Sequence, residues 1–147
     1  MEKKNEGMTL IVKTITRLTV WLILLYGCYL IIHGHLTPGG GFAGGLVIAL
    51  SYIHLTLAYG KNFINKRVNL GLMHNLEALG ALAFLIFGAV GLIAAGAFFL
   101  NFLAKGQLFA ILSSGVIPWI NIFIGIKVGA GLYIAFYYLA DFRPEVE

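Results

Sequence analysis

The sequence predicts an all-α integral membrane protein of four transmembrane helices, and three observations carry that prediction. Of its 147 residues, 60% are hydrophobic and only 11% are charged, where a soluble domain has about 45–50% and about 25%. With a mean hydropathy of +0.92, such a chain has too little polar surface to face water on all sides. The apolar residues also fall into four long segments, each close to the roughly 20 residues that a bilayer-spanning helix needs. Finally, the Lys and Arg residues sit mostly at the edges of those segments instead of forming one stripe. Despite the net charge of +4, they therefore read as topology signals and not as a nucleic-acid footprint. A chain of 147 residues has room for one domain, 1–147.

The first span runs from about Leu10 to Ile32, with Lys13 and Arg17 one turn apart near its start, where their stems can snorkel to the surface. The second, from about Phe42 to Tyr59, is short; the third, from about Leu72 to Leu100, is long enough to tilt or to break near its end. The fourth, from about Ile117 to Ala140, opens with Pro118, a residue suited to the first turn of a helix. Between spans three and four, the connection 101–116 is itself apolar (Phe102, Leu103, Leu108, Phe109, Ile111, Leu112). It reads as a helix on the membrane surface or a partly re-entrant segment.

Four spans put the N-terminus, the 60–71 connection and the C-terminus on one side. That side carries Lys3, Lys4, Lys13, Arg17, Lys61, Lys66, Arg67 and Arg143, and the other only Lys105. The positive-inside rule then places both termini in the cytoplasm, N-in and C-in, for a multi-pass protein of the cell membrane. Leu25-Tyr26-Gly27-Cys28 resembles a lipobox, but Tyr26 fits poorly there and the chain stays apolar through Ile32. Cys28 reads instead as a small packing residue. As a lone cysteine it allows no intrachain disulfide and no CxxC cluster site, and the His33/His35 pair lacks a third ligand, so no metal or other cofactor is expected in this chain.

The most specific stretch runs from Gly34 to Gly45, GHLTPGGGFAGG, and contains a formal GxGxxG at Gly39, Gly41 and Gly44. That pattern implies dinucleotide binding only after a strand in a βαβ unit, whereas here it follows a transmembrane helix. Three glycines after Pro38 let the backbone take positive φ and approach another backbone closely. The pairs Gly40/Gly44 and Gly41/Gly45 continue as GxxxG spacing into the second span, a close-packing device. A tight buried turn is one reading; amides at a helix start that help to hold an ion or water file is the other.

This stretch resembles the loop signature of the MnhB/MrpB family, the B subunits of multisubunit sodium/proton antiporters, in His35, Leu36, Thr37, Pro38, Gly39, Gly40, Gly41, Phe42, Ala43, Gly44 and Gly45. The four-span layout and Lys127-Val128-Gly129-Ala130-Gly131-Leu132 are similar too, so the resemblance covers roughly residues 10–140. Related subunits occur in the membrane arms of archaeal energy-converting hydrogenases and sulfur-reducing complexes. The resemblance implies a small, free-standing helical bundle among other membrane subunits and lipid, in a complex that moves Na+ or H+. In the hydrogenase-type case it also implies soluble partner subunits.

Independently of that likeness, His54, Glu77 and Lys127 fall inside spans. A charge at a helix centre costs about 2.5–3.5 kcal/mol on insertion scales, so such residues face protein or water and are functional candidates by default. Glu77, Ala81, Phe84, Gly88, Gly91 and Ala95 share one mostly small-residue face, and Gly44, Val47, Ser51, His54 and Ala58 form a similar stripe on the second span. Counted from the hairpin near Asn65, His54 and Glu77 lie at similar depth, about 10 Å from the membrane end, which makes a contact between them geometrically open. Lys127 sits near mid-bilayer with Ala130 and Gly131 on its side and Gly125 and Gly129 on the opposite one, as in a helix sandwiched between two others. A buried lysine readily gives up its proton, which suits a relay. No nucleophile–base pair or phosphate loop is placed for catalysis. The expected role is a non-catalytic subunit that helps to form or seal an ion path. The alternatives are a purely structural subunit tethering its neighbours and, more weakly, a small homo-oligomeric channel.

Overall fold

The computed structural model describes residues 7–107, 111 and 113–140. It consists of helices α1 (Leu10–Ile32), α2 (Gly40–Tyr59), α3 (Lys61–Asn65), α4 (Leu70–Ala95) and α5 (Ile117–Leu139), with no strand among the described residues. All but α3 are long and apolar enough to cross a membrane.

α5 stands in the middle. On one flank it runs parallel to α2, as the meetings of Gly45 with Gly125 and of Thr56 with Tyr133 show. On the other it runs antiparallel to α4, where Gly80 meets Lys127 and His74 meets Tyr138. α1 packs antiparallel on α2 through Gly27 against Gly44 and Thr16 against His54. The expectation of a sandwiched last helix therefore matches the structure.

The buried cluster Ala49, Ile64, Met73, Ala130, Tyr133, Ile134 and Tyr137 lies toward the end closed by α3. Lys61 Nζ donates to the Tyr137 carbonyl at 2.8 Å and lies 4.3 Å from the Tyr137 ring. A cation so close to the last carbonyls of α5 complements the helix dipole. Asn65 Nδ2 donates to the Tyr137 hydroxyl at 2.7 Å, fixing the other side of the same ring.

Three sequence expectations change. The third span stops at Ala95 and not at Leu100, because Gly96 turns left-handed at φ 78°. The chain then folds back, Phe99 N–H donates to the Gly88 carbonyl at 3.3 Å, and the Phe98 and Phe99 rings lie against Gly88. Second, residues 101–107 form no helix, so the surface or re-entrant helix is absent among the described residues; Leu108, Phe109 and Leu112 lie outside them. Asn101 instead ties the two ends of this connection together, its Oδ1 accepting from Val116 N–H and its Nδ2 donating to the Ser114 carbonyl, both at 3.1 Å. Third, Cys28, expected as a packing residue, is exposed within this chain. Smaller shifts move the start of the second span to Gly40 and that of the third to Leu70.

Candidate functional site

The glycine stretch is half turn and half helix. Leu36 and Thr37 both donate to the His33 carbonyl, at 2.8 and 2.9 Å, which closes the chain after α1. Gly39 and Gly40 then take φ of 144° and 83°, a region that a side chain makes costly. Gly34 and Gly40 touch so closely that a Cβ on Gly34 would overlap the Gly40 backbone. From Gly40 onward the glycines belong to α2 and form two rows. Gly44 meets Gly27 and Ile31 of α1, while Gly41 and Gly45 meet Asn121, Gly125 and Gly129 of α5. Gly41 N–H also donates to Asn121 Oδ1 at 3.4 Å. His35 is half-buried beside this junction, and Pro38 and Phe42 are exposed. Gly41, Gly44 and Gly45 thus dock α2 onto its two neighbours.

Glu77 and Lys127 lie on the opposite flank of α5. The half-buried Glu77 carboxylate rests on Gly131, where a Cβ would come 2.8 Å from Oε1. One turn further along α4, Gly80 lies on the Lys127 backbone, where its Cβ would sit 3.0 Å from the Lys127 nitrogen. Lys127 is exposed and borders a cleft of about 220 Å³ whose other walls are Gly80, Ala81, Phe84, Phe123 and Ile124. Glu77 is the one carboxylate among the described residues, and it makes no ion pair with Lys127. Both charges thus lie along the α4–α5 seam, and Lys127 faces outward.

His54 is elsewhere. It points toward α1, with Nε2 2.8 Å from Thr16 Oγ1. The stripe Gly44, Val47, Ser51, His54 and Ala58 is accordingly the α1-facing side of α2. The open possibility of a His54–Glu77 contact is not realised, because α5 stands between the two. In depth they differ by about one turn: Glu77 is level with Gly131, while Tyr52 is level with Tyr133 and His54 lies two residues beyond it. The stripe Glu77–Ala81–Phe84–Gly88–Gly91 is a contact face except at the exposed Ala81, and its two halves differ. The first half meets α5, and the second is covered by the chain's own Phe98, Phe99 and Leu100.

Sequence reasoning missed Thr16, Asn101 and Asn121. Asn121 had a signal, since it lies four residues before Gly125 and eight before Gly129 on the row that meets α2. Thr16 and Asn101 had only the weak one of being polar within apolar runs.

Comparison with known proteins settles the family. Residues 11–134 match the domain related to the MnhB subunit of the Na+/H+ antiporter. The chain belongs to the MnhB family. An uncharacterized protein of Methanocaldococcus jannaschii is 36% identical over 136 residues, 86% of this chain and 50% of that one. The B subunit of the Bacillus subtilis Na+/H+ antiporter is 49% identical over 57 residues, 37% of this chain and 40% of its own length. A chain in the structure of the membrane-bound sulfane sulfur reductase, an archaeal respiratory membrane complex, superposes with a TM-score of 0.73 at 34% identity, covering 92% of this chain and 62% of that one. The MnhB chain described here thus spans about half the length, or less, of these curated relatives.

Proposed function

We propose that this MnhB-family chain is a non-catalytic membrane subunit of a multisubunit cation/proton-translocating complex, and that its α4–α5 seam borders the ion path. The complex would be an Na+/H+ antiporter module, free-standing or serving as the membrane arm of a sulfur-reducing or hydrogenase-type respiratory complex. Its partners are other membrane subunits, with soluble oxidoreductase subunits in the respiratory case. The likeness to the sulfane sulfur reductase chain, extending over 92% of this one, supports the respiratory setting. The distribution of Lys and Arg supports both termini and Lys61–Arg67 in the cytoplasm.

One observation carries the ion-path reading: Glu77 and Lys127 line the same seam without neutralising each other. Each would cost a few kcal/mol in lipid unless hydrated or met by a neighbouring subunit. A hydrated seam is an ion path, whereas a seam filled by a neighbour's charges is a tether. His54 favours structure, because Thr16 already satisfies it within the chain.

Transport in inverted vesicles under a set ion gradient, normalised to assembled complex, separates the two. Glu77→Gln keeps shape but cannot ionise, and Lys127→Ala removes the amine; both are expected to leave assembly intact and abolish most transport. Lys127→Arg keeps a charge that holds its proton, so it fails if the lysine relays protons and partly rescues if only fixed charge is needed. Normal transport by both Glu77→Gln and Lys127→Ala would leave the tethering role as the better reading.

A further inference from the structure

We propose that the α3 end of the bundle binds an anionic membrane lipid, its phosphate held between Arg17 and Arg67 and an acyl chain lying on Trp21 and Leu55. These residues border one cleft of about 450 Å³ between α1, α2 and α3. Arg17 comes from α1, seven residues after Leu10 and so about 10 Å into the helix. Side chains on a helix lean toward its N-terminus, which carries the Arg17 stem toward the membrane end where the chain leaves α3. Arg67 enters from that side, its guanidinium 4.8 Å from the Phe63 ring.

The cleft changes character along the helix axis. One turn deeper than Arg17, the wall is Trp21, which is 70% exposed, backed by the buried Val20. A charged mouth above an apolar wall matches a lipid's own polarity. The charge has no internal answer among the described residues, where the single carboxylate, Glu77, lies on the far flank of α5. Lys66 borders the adjoining cavity of about 400 Å³ and adds to the same positive field. Guanidinium forks match phosphate oxygens in bidentate geometry, and basic pockets between membrane helices suit anionic headgroups. A dissolved anion is the poorer occupant, since half of the cleft would face it with hydrocarbon.

Trp21 is a built-in reporter. The full chain carrying Trp119→Phe is reconstituted into mixed vesicles containing either phosphatidylglycerol or phosphatidylcholine with brominated acyl chains, and quenching of Trp21 is compared. Phosphatidylglycerol is expected to associate more strongly by roughly fivefold for each guanidinium that meets it. Arg17→Gln with Arg67→Gln brings the two lipids level, Arg17→Lys with Arg67→Lys keeps part of the preference, and Lys105→Gln at the other end changes nothing. Equal quenching by the two lipids without any arginine substitution overturns the proposal and leaves the arginines to other carboxylates. A preference that survives the double Gln variant, or that excess inorganic phosphate abolishes, overturns it as well.

Discussion

α2 and α4 both pack on α5, but in different ways. α2 meets it glycine to glycine along a row of Gly41, Gly45, Gly125 and Gly129, and 39% of its span is buried within the chain. α4 makes one backbone approach at Gly80 and is then held off by aromatic rings, Phe87 and Phe123 having centroids 5.0 Å apart. Only 17% of the α4 span is buried. In lipid, apolar side chains gain nothing by leaving solvent, so close backbone contact is what holds helices together. The α1–α2–α5 group is thus joined backbone to backbone, while α4 offers most of its surface, and the charged seam beside it, to whatever lies outside.

The largest effect should come from breaking the glycine row. A Cβ on Gly45 would sit 2.7 Å from the Gly125 carbonyl and 3.0 Å from Val128 Cβ, with backbone on the far side and little to yield. Gly45→Val is expected to cost about 3 kcal/mol, at the upper end for overpacking, and to lower the denaturant midpoint of the detergent-solubilised protein sharply. A midpoint near that of the unaltered chain would show that the row is not what holds α2 to α5. Gly40 tests less well than its place in the signature implies. The nearest atom to a Cβ there is Asn121 Oδ1 at 3.6 Å, so Gly40→Val would act through its φ of 83° and not through crowding.

Next comes the outer attachment of α4. Asn101→Ala removes two hydrogen bonds and leaves Val116 N–H, at the start of α5, without its acceptor. At about 1 kcal/mol for each bond, a loss of roughly 2 kcal/mol is expected. It should be local: trypsin should cut at Lys105 several-fold faster, while the α1–α2–α5 contacts keep their stability. Loss of global stability would mean that the connection is part of the core.

Smaller still, Gly131→Ala separates packing from charge. Its methyl would come 2.8 Å from Glu77 Oε1, the tip of a flexible side chain. The carboxylate can swing aside, so stability should change by less than about 1 kcal/mol, well short of an overpacked core. Transport per assembled complex should nevertheless fall, because Glu77 has moved. Unchanged transport would detach Glu77 from the ion path, whatever Glu77→Gln does.

What could be read from the sequence follows the same division. The spans were legible because apolar runs and flanking charges report directly on the bilayer. The end of the third was not, because Ala97–Leu100 is equally apolar as helix or as a chain folded back over Gly88; only Gly96 marks the turn. Contact faces were legible as stripes of small residues, but a stripe does not name its partner. The one beginning at Glu77 meets α5 and then its own chain. Depth along the bilayer could be counted for His54 and Glu77 to within about one turn, whereas their placement around the bundle depends on which helix takes the middle. Chain order does not reveal that, since α5 is last in the chain yet lies between α2 and α4.

The smallest prediction concerns the contact on the far side of α2 from α5, Thr16 with His54. Thr16 is buried and its hydroxyl lies 2.8 Å from His54 Nε2, while the histidine is exposed on its other side. Thr16→Val keeps the shape and removes the hydroxyl. Hydrogen bonds between membrane helices average about 0.6 kcal/mol, because the unfolded chain in lipid also finds partners, so the expected loss is of that order. A double-mutant cycle with His54→Ala should return a coupling of about the same size, measured on the denaturant midpoint. If His54 only braces α1 on α2, neither substitution alters transport per assembled complex, in contrast to Glu77→Gln and Lys127→Ala. Transport lost in His54→Ala at unchanged stability would move the proposed ion path across α5 and break the division between a packed side and an α4 side open to its surroundings.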